Sequence, residues 1–527
     1  MKKTTIAIGV AIIISLLATG IIIFTGIGKK PSVNAVAENM VYENAYVISC
    51  EAGRIRFVCE ETEYEVKGVP EEEVVEVADI VIENGEVALI RDKENIASGR
   101  LLSYGADYFE VENYGRIQRD NNPPIYKMTD NGIVEDKLEN VIVGASTFDY
   151  VCENGVVCAL IQKMQPNYDN IRVLILNHDQ TYYENLWIKS DSKLNIDGQQ
   201  IEDAVVSAND YLAANNMSEM IIMPTEGKLY FSRDGETYLK NGYEGSFTIK
   251  KFNEGLVLIN ELGIEDYVRY VLPSEMPVNF SYEALKAQAV CARTFAYAQM
   301  KNNNYSALGA NLDDSTAYQV YNYKGNYDIT DKAVIETAGK VITQDNNLIT
   351  CYYFSTCSGM TETMEVWDSI TPNYIKSVES KDESSVFYSW NTKLDLSGYS
   401  DSELGKIQTV KIKKKSNAGY VLDLELQFEK GKRNYTTEND IRKFMGTVIG
   451  DITLNDGSVR DDLSMLPSAC FSIADDGVTI NGGGFGHGIG LSQYGANELA
   501  TEGFNFSDII NYYYNSVQIK DIAQTAY

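Results

Sequence analysis

The sequence predicts a mixed α+β chain: one apolar amino-terminal helix, then a β-rich region, then a mixed region. Three observations lead there. Up to about residue 235, Val, Ile and Tyr alternate with polar residues, as in Ile55-Arg56-Phe57-Val58 and Phe109-Glu110-Val111-Glu112, which is the period of half-buried strands. Past residue 280, Leu285, Ala289, Ala292 and Ala296 recur at i, i+4, i+7 and i+11, the spacing of one helix face. Near the start, Ile6 to Ile27 form a run of 22 uncharged, mostly apolar residues.

At 527 residues the chain is too long for a single hydrophobic core, and at about 150 residues per domain three or four units are expected. Hydrophobic residues at 44% and charged residues at 23% are globular values, which excludes wholesale disorder. Acidic residues outnumber basic ones 75 to 45, for a net charge of -30, so nucleic acid and anionic lipid are excluded as main partners. Runs such as Glu71-Glu72-Glu73 are short and dispersed, as on a solvated surface.

The apolar run is bracketed by Lys2 and Lys3 before and Lys29 and Lys30 after. At about 1.5 Å per residue it spans the hydrocarbon core of a bilayer. Ala35-Val36-Ala37 would serve as the cleavage site of a signal peptide, but the run exceeds the roughly 7–15-residue core of such peptides and the lysines intervene. An uncleaved membrane anchor over residues 1–28 is therefore expected, followed by a polar linker at 29–40. Two lysines at each end leave its orientation almost unbiased.

Eight cysteines, Cys50, Cys59, Cys152, Cys158, Cys291, Cys351, Cys357 and Cys470, are too few for a disulfide scaffold in a chain this long. Cys50 with Cys59, and Cys152 with Cys158, could each face one another across a hairpin, while Cys351 and Cys357 fall on one face of a strand. There is no C-x-x-C, and His178 and His487 are the only histidines, so buried thiols are expected rather than a structural zinc site.

Residues 41–235 read as a β-rich region punctuated by hairpin turns at Asn84-Gly85, Asn131-Gly132 and Asn154-Gly155. Glu83 to Ile90 is echoed by Glu153 to Ile161 with one inserted residue, through either duplication of a small β unit or shared turn chemistry. His178 lies in this region as a structural residue, and no catalytic constellation is visible there. From 236 the pattern changes. Gly245 to Ile249 and Gly255 to Asn260 read as two strands, and Leu272-Pro273-Ser274-Glu275-Met276-Pro277 as a constrained turn. A helix capped by Ser281 runs to about Lys301, its many alanines implying close packing. Glu275 is thus expected on a turn between a strand and a buried helix, a place from which a side chain is aimed.

Several ordered blocks in this second half carry a resemblance. They are Asp266-Tyr267-Val268, Pro273 to Pro277, Glu283 to Ala296, Thr316 to Tyr321, Tyr353 to Glu362, Asn373 to Val378 and Gly484 to Ala496. Together they resemble the stage II sporulation protein D / LytB family over roughly residues 240 to 520, which makes residues 236–527 the family domain and residues 41–235 an extracellular β-rich region.

The resemblance implies a lytic transglycosylase of peptidoglycan that cleaves glycan strands at N-acetylmuramic acid and leaves an anhydro sugar, as in envelope remodelling and sporulation. The family's catalytic glutamate falls on Glu275. One carboxyl suffices for this chemistry: it protonates the leaving oxygen, then accepts a proton from the sugar's own hydroxyl as the ring closes. Nothing in the sequence selects Asp266, Glu283 or Glu362 as the second carboxylate an ordinary glycosidase needs. To act as an acid near neutral pH, Glu275 needs a desolvated setting, which Leu272, Pro273, Met276 and Pro277 would supply. The resemblance also implies that Arg293, Tyr374 and Lys376 are needed around the glycan.

His487 and Gln493, in the glycine-rich closing block, are expected at the substrate. The run Asn481 to Gly490 holds neither G-x-G-x-x-G nor G-x-x-x-x-G-K-[ST], so its glycines are read as allowing close approach of backbone to sugar rather than to nucleotide. Some family members bind zinc through cysteines near the block before Gln-Val-Tyr. Here that neighbourhood has Leu312 and Tyr318, and no metal or other cofactor is expected. The expected partners are peptidoglycan glycan strands and, from the LytB branch, wall hydrolases or amidases, with the bulk of the chain outside the cell membrane. The LytB branch also supplies the competing reading, a non-catalytic amidase enhancer or wall binder.

Overall fold

The computed structural model describes residues 34–68, 76–129, 132–321, 325 and 327–525. The apolar run at 6–27, the Glu71-Glu72-Glu73 run and Asn131 lie outside these residues. Among the described residues no helix is long and apolar enough to cross a membrane.

The chain divides into two compact units, and neither is continuous in sequence. The first takes residues up to 97, 122–137 and 149–163; the second takes 98–121, 138–148 and everything from 164 onward. The division expected near residue 235 therefore does not coincide with the structural one, because residues 164–235 share a unit with the family-like region.

In the first unit, period-two alternation builds a closed barrel from β1 (Met40–Glu51), β2 (Arg54–Cys59), β3 (Thr62–Lys67), β4 (Val77–Glu83) and β5 (Glu86–Asp92), in the order β1-β2-β3-β5-β4. Tyr42, Ile55, Phe57, Val66, Ile80 and Ile82 are buried together inside it. Asn84 and Gly85 both have positive φ, 54° and 78°, and close β4 onto β5 in the twist hairpins prefer. Asn154 and Gly155 do the same, at 51° and 81°, between strands Thr147–Glu153 and Val156–Gln162. The two echoed segments thus share a turn but belong to different sheets. All eight cysteines are free thiols. Hairpin register sets Cys50 opposite Ile55 and Cys59 opposite Thr62, which keeps those two sulfurs from pairing.

The second unit is organised by a seven-stranded sheet. Its strands are β6 (Asn170–Ile175), β7 (Leu194–Ile196), β8 (Gln199–Ile201), β9 (Glu219–Pro224), β10 (Ser246–Lys251), β11 (Leu256–Gly263) and β12 (Leu312–Asp313), in the order β8-β7-β9-β10-β11-β6-β12. The two strands expected at 245–260 are β10 and β11, paired antiparallel from Ser246↔Glu261 to Lys251↔Leu256. β11 is buried at seven of its eight positions, and its two polar residues there, Asn260 and Glu261, are held by hydrogen bonds and ion pairs. β6 enters between β11 and β12, with Asn170 opposite Gly263 and Val173 beside Leu312.

Buried ion pairs tie the sheet to residues 98–121. Arg172 and Arg100 both pair with Glu261, and Lys250 donates to Glu110 at 2.5 Å. Arg172 is 2% exposed and Lys250 1%, so removing either partner would strand a desolvated charge.

Beyond the sheet come α1 (Ile264–Glu275), α2 (Tyr282–Met300), α3 (Asp328–Glu336), α4 (Gln493–Thr501) and α5 (Phe506–Tyr513). α2 packs against all four others, and Leu285, Ala289, Ala292 and Ala296 are fully buried. Small side chains let the four neighbours approach α2 closely. Ser281 stands at its N-cap, but its hydroxyl bonds Thr501 Oγ1 at 3.2 Å instead of capping the helix, and its N–H donates to Asn497 at 2.8 Å.

The constrained turn expected around Glu275 is helical. Residues 264–275 form α1, with Pro273 in its last turn and Glu275 as its final residue. Pro273 has no N–H to give the carbonyl of Arg269, and the Ser274 hydroxyl donates to the next carbonyl, that of Tyr270, at 2.9 Å. Glu275 therefore sits at an elbow between two helices, not between a strand and a helix.

Candidate active site

Glu275 is half-buried, and its Oε1 accepts the main-chain N–H of Val320 at 2.6 Å. The residue before Val320 explains why that amide is held in place. Gln319 is fully buried, accepts from the Tyr267 hydroxyl at 3.1 Å, and donates to the carbonyl of Ala292 at 3.2 Å and the Tyr353 hydroxyl at 2.9 Å. One glutamine thus joins α1, α2 and the strand β13 (Tyr353–Phe354) behind the carboxylate. Burial raises the hydroxyl pKa of Tyr267 and Tyr353 well above the usual value, and the charge of Glu275 adds to it. Both tyrosines stay protonated: the Tyr267 hydroxyl donates to Gln319, and the Tyr353 hydroxyl accepts from it.

The other acidic residues of these motifs are engaged elsewhere. Asp266 pairs with Arg269 at 3.2 Å. Glu283 pairs with Lys286 at 2.7 Å and accepts from the Phe506 N–H. Glu362 accepts from the Ser416 hydroxyl and from the Thr363 N–H at 2.7 Å.

Arg293 has no solvent exposure, and a sugar cannot reach it. Its guanidinium forks onto Glu265 at 2.8 and 2.6 Å and donates to the carbonyls of Lys340 and Val334. The expected contact with substrate is therefore corrected to a structural one, a buried clasp holding α2 to the start of α1 and to the strand after α3. Tyr374 is half-buried; its hydroxyl accepts the Thr350 N–H at 3.3 Å, and burial raises its pKa. Lys376 reaches the carbonyl of Asn511 at 3.2 Å, and burial lowers its pKa. Both lie against the end of α5, where Ile375 bridges Tyr514.

His487 packs among Tyr352, Phe354 and Trp367, with ring centroids 5.1 to 6.3 Å away. Its Nδ1 accepts the Ile489 N–H at 3.1 Å, so the ring holds the shape of its own glycine-rich loop. Gly484, Gly486, Gly488 and Gly490 all have positive φ, and a Cβ on Gly490 would lie 2.1 Å from the carbonyl oxygen of Tyr352. Gly484 and Gly490 admit protein backbone, and Gly486 and Gly488 admit the side chains of Phe354 and Tyr420. The loop feeds β14 (Leu491–Ser492), which pairs in parallel with β13, and Gln493 follows as the 5%-exposed first residue of α4.

Burial pushes the pKa of His487 down to about 4. The unfolded chain takes up this proton near pH 6.5, whereas the folded chain refuses it until about 4. Stability is thus lost as pH falls through that window, by at most about 3 kcal/mol, since solvent reaching the ring lowers the figure. Urea titrations at pH 7, 5.5 and 4.5 should show a shallower decline for His487→Gln than for the parent; parallel declines would contradict this.

Of the residues named from sequence, the structure places Glu275 on a built framework and sets Arg293 and Gln493 inside the protein. Sequence reasoning passed over Gln319, Tyr267 and Tyr353. All three stand in the motif blocks, but only their convergence from three distant segments gives them a role. Among the described residues no group of three or more His, Cys, Asp or Glu is placed to hold a metal ion. Leu312 is buried in β12, and Tyr318 accepts a hydrogen bond from Asn304 at 3.0 Å.

A helix-borne glutamate, held by a glutamine–tyrosine frame in a mixed α+β unit, is the setting in which the comparisons fall. The family model described as stage II sporulation protein matches residues 252–344, the stretch that holds Glu275, Gln319 and Val320. The stage II sporulation protein D of Bacillus subtilis (strain 168) is 36% identical over 282 residues, covering 50% of this chain and 76% of that protein. An uncharacterized protein of Brachyspira hyodysenteriae is 33% identical over 309 residues, covering 56% of this chain and 77% of that protein. The amidase enhancer of Bacillus subtilis (strain 168) is 32% identical over 285 residues, covering 46% of this chain and 39% of that protein. The chain belongs to the stage II sporulation protein D family.

Proposed function

We propose that this protein cleaves the glycan strands of peptidoglycan as a lytic transglycosylase, with Glu275 as acid and then base. The observation that carries the reading is the Glu275 carboxylate, fixed by the Val320 N–H and the Gln319 frame while the other motif carboxylates are engaged elsewhere. In the first half-reaction the protonated carboxyl gives its proton to the glycosidic oxygen as the bond to the anomeric carbon breaks. In the second, the carboxylate takes the proton of a hydroxyl on the same sugar as that oxygen bonds to the anomeric carbon, closing an anhydro ring. No water is consumed, so no second carboxylate is required to activate one.

The substrate places the bulk of the chain outside the cytoplasm, with residues 6–27 as its anchor, in wall remodelling that includes sporulation. Tyr374 and Lys376 are assigned to the glycan in this reading. Incubating the purified chain with peptide-free glycan strands should yield anhydro-ended fragments detectable by mass spectrometry. Strands left intact at every enzyme concentration would remove the reading. The similarity to an amidase enhancer favours a second one, in which the chain acts by binding to the wall or to an amidase. Stimulation of an amidase by the Glu275→Gln chain would support that role independently of cleavage.

A further inference from the structure

A pocket of about 420 Å³ opens beside the glutamate-bearing site. It is lined by Leu176, Arg233, Leu239, Tyr243, Asp314 and Val320 among others, with His178, Asp179 and Thr316 exposed at its rim. Its volume falls within the range of about 300–1,000 Å³ usual for small-ligand sites. Two structural links join it to Glu275. Val320 lines the pocket with its own atoms while its N–H grips the carboxylate. Tyr243, in the pocket wall, leads to Tyr321 at 5.9 Å between ring centroids and on to Tyr267 at 5.1 Å, the residue that orients Gln319.

The polar groups of the pocket are fixed in advance. Arg233 lies over the rings of Tyr183 and Phe231, 5.4 and 5.3 Å from their centroids, and donates to Asn177 Oδ1 at 2.7 Å. Asp314 accepts the Leu176 N–H at 3.0 Å. One cation, Arg233, and two acidic residues, Asp314 and the rim residue Asp179, line the same pocket. Ser315 and Thr316 add hydroxyls, and Leu176, Leu239 and Val320 add apolar surface. Preorganised donors and acceptors beside apolar patches suit a polyhydroxylated ring, whose hydroxyls both donate and accept while its C–H faces cover apolar surface. Leu239 is 48% exposed, and a ligand lying against it would cover that apolar surface.

Residues 175–239 precede the family-matched stretch, whereas Asp314 and Val320 lie inside it. The pocket is therefore composite, with one wall supplied by a part of the chain that the family match leaves out.

We propose that this pocket is an additional saccharide subsite, which holds an N-acetylhexosamine unit of the same strand that is cut at Glu275. The inference rests on the glycan-cleaving reading for its substrate class, and it makes the chain favour long strands over short ones.

Binding and cleavage are measured separately to test it. Chitohexaose, a β-1,4-linked N-acetylglucosamine oligomer without carboxylate or peptide, is titrated calorimetrically into the full chain carrying Glu275→Gln, in which nothing is cut. Adding Arg233→Gln or Leu239→Glu should weaken binding by about tenfold. Because Leu239 is exposed, its substitution keeps the fold intact, which thermal melting checks. Unchanged affinity in both variants, or no binding by the parent, would overturn the subsite. With native Glu275, Leu239→Glu should raise KM for long glycan strands while leaving kcat in place, and an unchanged KM also counts against the proposal. If the native chain releases no anhydro products, cleavage has failed, and the titration still decides the pocket on its own.

Discussion

Glu275→Gln will leave a folded chain that no longer releases anhydro-ended fragments from glycan strands. The amide is nearly isosteric with the carboxyl, and its oxygen still accepts the Val320 N–H, so the Gln319 frame and the elbow after α1 stay in place. What is lost is the exchangeable proton. General acid–base catalysis contributes about 10²–10⁴-fold, and here one group serves both half-reactions, so turnover should fall by about 10³-fold or more. Product yield by mass spectrometry, read beside a thermal melt, separates lost chemistry from lost fold. Cleavage within a few-fold of the parent rate would take the role away from Glu275.

Arg293→Met will destabilise the second unit by about 3–5 kcal/mol, the cost of breaking a buried pair from one side. Arg293 has no exposure, and four hydrogen bonds end on it. Methionine fills part of the volume but leaves the carbonyls of Lys340 and Val334 without this donor. Glu265, whose side chain is 36% exposed, keeps water and the Gly339 N–H, so Glu265→Gln should cost less. Urea unfolding followed by tyrosine fluorescence measures both. The two accounts of Arg293 part at activity. A clasp predicts that lost cleavage tracks lost stability and returns under stabilising conditions. A sugar ligand predicts lost cleavage at unchanged stability, and that outcome would refute the buried clasp.

α2 was readable because its alanine stripe keeps a helical period and Ser281 marks its start. α1 was not. Its period is present, with Ile264, Tyr267, Val268, Val271 and Leu272 buried at i, i+3, i+4, i+7 and i+8 and Glu265, Asp266 and Arg269 only half-buried, but the stretch is short and runs into a proline. Pro273 then pointed to a turn where the last helical turn tolerates it. Glu275 was legible only through resemblance, since no local pattern distinguishes it from other glutamates. Gln319 was illegible for a different reason: its partners Tyr267 and Tyr353 lie 52 and 34 residues away. The division of the chain was hidden in the same manner, because Lys250–Glu110 and Glu261–Arg100 bind residues 98–121 into the second unit through charges that look solvated in a linear reading.

The place of β6 bears on what can be inherited as a piece. This strand precedes the family-matched stretch by some eighty residues, yet it lies inside the sheet with β11 on one side and β12 on the other. A gene fragment beginning at residue 252 would encode two strands with no partner between them, and it would leave Glu261 facing neither Arg172 nor Arg100. The recognisable stretch thus does not carry a complete sheet in this chain: expressed from residue 252, it would lack the strand that joins β11 to β12.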